Sequence, residues 1–565
     1  MNKFFILFGI FTLTAGISFA KGSGETMKIR YQSSYHGKII EGYHREMIIS
    51  NGIAKIEIIR DEADDTPVKQ TFIDYVDKIC YQTAILNNNE AERYTVKFDF
   101  RDISSWKITD DSITWIQGFP CRMAHIVVNS NHINIWFTQE TALWGTIQPG
   151  YGVPDGLVLK IDVNGNRVEE AVDISYEKKG RQLLPESWGT FIESRYYSKI
   201  LNESGVVTVK VFDNEIIEFN PDLPKPVSFD EENRVYRVGN GAVLLKKIKL
   251  PDSIEGYDVF LELIHHAEDD AYDRTGTVFL IPTDKKRTFL EALLHGLDTL
   301  PGAVITEKGE SFRGIVATED YNPPVELMRF FTSFGVHGYG RITYGDYQWA
   351  DSVIFKQEIT HVSQYLEKEA WIGVCIGNWT KNAHRVSLSL KYHPEGKGGK
   401  TKAIPLFFAM NVLEMQWQEM PDLFDDDAFS FSYNLPEPIQ ESSLCYLSTG
   451  HGGWGGGDEF NRKINSVFSD NELVLKYIPW REDCASYRLL NPASGNFGNG
   501  LSSSDLSRSG WCPGTITNPV YIPMPGLQQG KHSLKITIPQ GAPEGNSRSH
   551  WTISGMLIER LETRN

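Results

Sequence analysis

The sequence predicts an all-β protein of sandwiches or jelly rolls in three consecutive parts. Apolar and polar residues alternate with period two in "MKIRYQ", "IAKIEIIR", "HINIWF", "VVTVKVF", "DVFLELI", "GTVFLIP", "VSLSLKY" and "HSLKITI", the pattern of half-buried strands. Helical patterns are scarce, and "TFLEALLHGL" and "EITHVSQYLEK" are the main candidates. Two polar, basic stretches, "YEKKGRQLLPES" near 176–187 and "YHPEGKGGKTK" near 392–402, break the composition and read as boundaries.

In chain order, Lys3, the apolar run "FFILFGIFTLTAGI" and the small-residue exit "SFA" at Ala20 have the anatomy of a secretory leader over residues 1–20. The mature chain is expected to start at Lys21 and to be exported, either periplasmic or secreted. No other stretch has the unbroken apolar length that a membrane span needs. An accessory β domain is expected over 21–180, followed by β domains over 188–395 and 403–565.

A formal net charge of −17 disfavours nucleic acid, whose phosphates call for clustered Lys and Arg, and leaves sugars and peptides open. Six cysteines in an exported chain can form disulfides. Cys484 and Cys512 lie nearest each other among the last four, and Cys80 and Cys121 are the two of the first third, so these are the expected bridges. Cys375 and Cys445 sit in apolar β-like runs, where a free thiol and a bridge are both open.

Three stretches can carry chemistry. "GHGGWGGGDEF", Gly450 to Phe460, ends in Asp458 and Glu459, where a phosphate loop would need Lys followed by Ser or Thr. Taken alone it is a slack turn, or a bare floor beside Trp454 on which a ligand lies close to backbone. "HHAEDDAYDRTGTVFLIP" sets Asp273 beside Arg274 at the mouth of an apolar strand, and a neighbouring guanidinium favours an ionised carboxylate. His265 and His266 point to opposite faces of a strand, so no metal site is expected and no cofactor is implied. "SSSDLSRSGWCPG" pairs Arg508, a planar donor fork, with the aromatic face of Trp511; no Ser-His-Asp spacing accompanies its serines.

"AYDRTGTVFLI", "VCIGNWTK", "GGWGGGDEF" and "RSGWCPG" with the upstream "EDCASY", in this order, resemble the family of peptide:N-glycosidase F from about residue 190 to the end. The resemblance implies two adjacent eight-stranded jelly rolls with the active site at their interface. It makes Asp273 of the first and Glu459 of the second the catalytic acids. Arg274, Tyr272, Trp379, Trp454, Asp458, Arg508 and Trp511 become substrate-binding candidates, and the Cys484–Cys512 bridge matches the family. The implied activity is release of asparagine-linked glycans from glycoproteins and glycopeptides by a monomeric amidase. A glycoside hydrolase or a non-catalytic glycan-binding protein with the same cleft remains open.

Two departures stand out. Where the family carries a third acid, two residues before a cleft tryptophan, this chain has Gly377; either that acid is dispensable or another group, such as Asp270 or Asp458, replaces it. The family's small cysteine loops near both acids are also missing. Residues 21–180 have no counterpart in short family members and are expected to shape or cover the cleft.

Overall fold

The computed structural model describes residues 24–60, 67–86, 89–99, 106–152, 156–305, 311–336, 345–394, 401–416, 423–424, 428–452, 456–492, 502–524, 526–543 and 548–561. The expected leader lies outside them. Each of the eight alternating segments forms a strand, as in Ile53–Arg60, Tyr257–Ala267, Thr275–Ile281 and His384–Pro394. "TFLEALLHGL" contains the α-helix Phe289–His295, whereas "EITHVSQYLEK" shortens to the 3-10 turn Thr360–Tyr365. A further helix, Ser194–Glu203, was not expected. No helix of the described residues is long and apolar enough to cross a membrane.

The chain divides into two compact units, Met1–Gly205 and Val206–Asn565. The first is a β-rich domain whose long, mostly antiparallel sheet runs through neighbouring strands such as Ile53–Arg60, Tyr43–Ser50, Thr26–Tyr35 and Arg167–Glu177. Alternation puts Met27, Ile29 and Tyr31 of one strand into the core. The unit extends beyond the composition break at 176–187 because Thr190–Phe191 pairs back onto Arg93–Asp99 and Tyr197 packs with Ala84 and Val96.

The second unit contains the two sandwiches. The first opposes the strands Val207–Ile217, His384–Pro394, Tyr257–Ala267 and Ser352–Glu358 to Tyr236–Val238, Val243–Lys249, Glu369–Ile376, Thr275–Ile281 and Val325–Phe331. Ile516–Thr517 from the C-terminal half joins the edge of that second sheet, with Arg329 opposite Thr517. The other sandwich opposes Thr401–Ala409, His550–Arg560, Ser442–His451 and Val520–Met524 to Phe429–Leu435, Gly530–Thr537, Asn465–Ser469 and Glu472–Tyr477. The first sandwich's apolar cluster, which includes Val278, Phe330 and Val374, runs on into Ala403, Cys445, Met556 and Ile558 of the second.

Val325–Phe331 is buried on both faces, which explains why it shows no alternation. It carries a buried ion pair, Arg329 Nη2 to Glu326 at 2.7 Å. Thr277 Oγ1 donates to Glu326 at 3.0 Å, and Arg329 Nη1 donates to the Thr552 carbonyl at 2.9 Å and Thr449 Oγ1 at 3.1 Å. The pair thereby ties the first sandwich to two strands of the second.

Cys484 and Cys512 form a disulfide. The expected Cys80–Cys121 bridge is absent, and both thiols are free and buried. Cys80 lies on Ile79–Ile85 and Cys121 on Phe119–Val128, well apart in the hydrogen-bonded strand order. A bridge needs Cβ atoms facing each other within about 4.5 Å; here both cysteines serve as apolar packing in one core. Burial pushes their thiols up to about 12 and about 11. Cys375 and Cys445 are likewise free and buried.

Two outcomes are expected. Thiol titration of the denatured, unreduced protein gives four reactive thiols, and six after reduction. Arg329→Ala strands Glu326 in the interior and lowers stability by about 3–5 kcal/mol, read as a fall in Tm that Glu326→Met/Arg329→Met partly reverses.

Candidate active site

Asp273 sits on the turn between Tyr257–Ala267 and Thr275–Ile281. Asp270, fully buried, organises that turn: its Oδ1 accepts the Tyr272 N–H at 3.0 Å and its Oδ2 accepts Arg274 Nε–H at 2.7 Å. Thr332 clamps the other side, accepting the Arg274 N–H at 2.7 Å and donating to the Tyr272 carbonyl at 2.9 Å. Arg274 therefore serves Asp270 and not Asp273, which corrects the pairing read from their adjacency. Behind Asp270, His384 and His265 are in contact at 3.1 Å. Burial pushes His384 down to about 3, assisted by Arg274, and His265 well below its usual range, so both are neutral rings. Among the described residues no cluster of three His, Cys, Asp or Glu side chains is placed to hold a metal ion.

Glu459 is delivered by the glycine-rich loop after Ser442–His451. The Gly452 carbonyl accepts from the Asp458 and Glu459 amides at 2.9 and 3.2 Å. Gly452 has φ +74°, and a Cβ there would lie 2.0 Å from the Arg548 carbonyl. Only glycine fits, so this part of the loop is tightly packed, contrary to the slack turn it resembles. The two acids then diverge. Asp458 is buried and accepts the Gly541 N–H at 2.9 Å, turned into the fold, while Glu459 turns to Arg508 and keeps part of its side chain exposed.

Arg508 joins the two halves. Its Nη1 donates to Asp273 Oδ2 and to Glu459 Oε1, both at 2.8 Å, and its Nη2 donates to the Ser503 carbonyl at 2.7 Å. Only 1% exposed, its guanidinium lies 4.3 Å from the Trp511 ring centroid and 5.1 Å from that of Phe460, an aromatic setting that favours a cation. Trp511 is itself buried, stacked on Phe331 at 4.2 Å and donating to the Gly450 carbonyl at 3.0 Å. It holds Arg508 and offers no face to a ligand. Burial pushes the Glu459 carboxyl up to about 7, with Arg508 pulling the other way and the Asp273 carboxylate adding to the rise.

A cavity of about 190 Å³ opens beside this triad, lined by Asp273, Arg274, Gly377, Trp379, Glu414 and His451 among others. Trp379, half exposed, rests against Phe219 with centroids 5.2 Å apart. Tyr272 is also half exposed, between the Arg274 guanidinium and the Phe334 ring. Trp454 lies outside the described residues. Sequence reasoning missed Glu414, which lines this cavity, and the stacked pair His451 and His550. His451 is buried and His550 half-buried; His451 is held well below its usual range and His550 at about 4. "HGG" and "SHW" give no hint of this stack.

Fold and site together define a two-sandwich protein in which one acid from each sandwich meets a single buried arginine. Family models for peptide-N-glycosidase F match at residues 208–392 (N terminal) and 419–558 (C terminal), and the model for the N-glycanase peptide N-terminal domain matches at 29–189. The structure of PNGF-II in space group P21 is 38% identical, with 95% of this chain and 100% of that one covered and a TM-score of 0.80. The C2 form is 37% identical over 96% and 99%, with a TM-score of 0.69. The structure of PNGase F, a glycosylasparaginase from Flavobacterium meningosepticum, is 12% identical over 64% and 97%, with a TM-score of 0.41. Curated proteins yield no match. The chain belongs to the peptide-N-glycosidase F family.

The Glu459 shift sets a pH dependence. Glu459 titrates near 4.5 when unfolded and near 7 when folded, so between those values the folded state holds the extra proton. Its stability contribution is therefore fully present below about 4.5 and falls as pH rises to about 7, by up to about 3 kcal/mol. Glu459→Gln removes this dependence, so the variant's Tm gains on wild type as pH goes from about 5 to about 8. A difference that stays constant with pH contradicts the shift.

Proposed function

We propose that the chain is an amidase that hydrolyses the bond between the innermost GlcNAc of an N-linked glycan and the asparagine side chain. The observation that carries the reading is the single Arg508 nitrogen, Nη1, shared by Asp273 and Glu459 at 2.8 Å each. One cation between two carboxyls favours a state in which one is ionised and the other keeps a proton.

In the reaction, Asp273 accepts a proton from water as the oxygen attacks the amide carbonyl carbon. Arg274, which lines the same cavity, donates to the oxyanion. As the C–N bond breaks, the Glu459 proton passes to the departing nitrogen. The products are a glycosylamine, which then loses ammonia in water, and a peptide in which Asn has become Asp. The step uses these side chains and water, and no cofactor. Trp379, half exposed beside the cavity, offers an aromatic face to the sugar rings. The substrates are N-glycosylated proteins and glycopeptides, met outside the cytoplasm by an exported monomer.

Asp273→Asn should lower glycan release by at least about a thousand-fold, at the upper part of the range for general-base loss, with only a modest fall in Tm because Glu459 still pairs Arg508. Mass spectrometry of the peptide product should show Asp. Asn still carrying one GlcNAc would make the chain a glycoside hydrolase, and binding without any product would make it a lectin-like protein.

A further inference from the structure

Glu414, a titratable group of this cavity, has no task in this mechanism. Glu414 belongs to the segment that follows Thr401–Ala409 and crosses to the first sandwich. Its neighbours Met410, Val412 and Leu413 are buried with Phe279 and Cys375. The backbone is pinned at both ends, with Cys375 Sγ on the Val412 carbonyl at 3.8 Å and Asn240 Nδ2 on the Met415 carbonyl at 2.6 Å. Between buried Leu413 and Met415, Glu414 alone is exposed, and it faces the cavity that Asp273 lines. Among the described residues no hydrogen bond or ion pair engages its carboxylate, so its acceptor lone pairs are available to a ligand.

Gly377 makes the room. The nearest atom to a Cβ built there is Glu414 Oε2, at 3.7 Å. A side chain longer than alanine at 377 would therefore compete with the Glu414 carboxylate for the same space. Two residues further on, Trp379 contributes a half-exposed indole to the same cavity. A flat aromatic face beside an acceptor-only carboxylate is the chemistry that holds a sugar ring: the apolar ring face lies on the indole, and hydroxyl or amide hydrogens go to the oxygens.

We propose that Glu414 is a substrate-binding acid of this cleft, its carboxylate using the space Gly377 leaves open to accept hydrogen bonds from the sugar next to the scissile amide, whose ring rests on Trp379. The proposal rests on the amidase reading of Asp273 and Glu459. It also gives the chain an acid at the place where its sequence has none, supplied from a segment distant along the chain instead of from position 377.

The experiment measures kcat and KM for glycan release from a glycopeptide with an intact chitobiose core, with Tm as the folding control. Glu414→Ala should raise KM on the order of ten- to a hundred-fold, the loss of hydrogen bonds to a charged group, while kcat changes less than about three-fold. Glu414→Gln, which keeps one acceptor, should fall between. Gly377→Glu alone should lower kcat/KM by crowding two carboxylates. Gly377→Glu/Glu414→Ala should recover at least about a third of wild-type kcat/KM, because the acid returns to the same space from the other side. An unchanged KM in Glu414→Ala, or a double variant no better than Glu414→Ala, overturns the proposal. Asp273→Asn is assayed in parallel: full activity there removes the amidase reading itself, whereas an inactive Asp273→Asn with a normal Glu414→Ala removes only the role of Glu414.

Discussion

The second unit is organised around one constraint, the burial of a guanidinium. Arg508 is 1% exposed, and a cation so deeply placed must be matched by negative charge and hydrogen bonds or it destabilises the fold. Asp273 comes from a turn of the first sandwich and Glu459 from a loop of the second, and both reach the same nitrogen. The charge count then sets the chemistry. Two carboxylates on one cation leave a surplus negative charge in a sheltered place, and the surplus is relieved when Glu459 holds a proton up to about pH 7. A proton donor beside a proton acceptor thus follows from electrostatics.

The supports of Arg508 show how the two sandwiches are held in register. Trp511 under the guanidinium stacks on Phe331, the last residue of the doubly buried strand that also carries Arg329. Phe331 exchanges backbone hydrogen bonds with the segment just after Trp511, its amide donating to Thr515 at 2.9 Å and its carbonyl accepting from Gly514 at 3.0 Å. Cys512, between Trp511 and that segment, is tied to Cys484. The loop that carries the arginine is therefore fixed by a disulfide, by main-chain bonds to the first sandwich and by aromatic stacking. All three raise the cost of moving Arg508 away from the acids.

Much of this was legible in the sequence, and the limits are physical. Period-two alternation located the strands because each has one wet face. It was silent for Val325–Phe331, buried on both. Asp273, Glu459 and Arg508 were legible as chemistry-bearing residues in distinctive strings, and the structure brings the three together. Partner choice was not legible. Arg274 adjoins Asp273 in sequence, but a turn sends its side chain to Asp270. Cys80 and Cys121 are the two cysteines of the first third, but strand order separates them. Glu414 gave no signal because its meeting with Gly377 is made by packing between segments from different sandwiches. Trp511 was legible as an aromatic partner of Arg508, but whether its face met a ligand or supported the cation depended on burial.

Asp270, Asp273, Asp458 and Glu459 follow one arrangement. On each side, two acids close in sequence leave a short loop and take different work. Asp270 turns inward to the Tyr272 amide and Arg274, so it shapes the turn that presents Asp273. Asp458 turns inward to the Gly541 amide, so it fastens the loop that presents Glu459, and Gly452 gives that loop the close approach to Arg548 that its path demands. A carboxylate can fold backbone by accepting amide hydrogens, or it can exchange protons with a substrate, but one spent on the first task has few lone pairs left for the second. Using separate acids lets the structural pair be fully buried and hydrogen-bonded, while Asp273 and Glu459 stay partly open to the cleft. The described part of the glycine-rich stretch is therefore a mount for Glu459, and at Gly450 and Gly452 the lack of a side chain serves the packing of that mount.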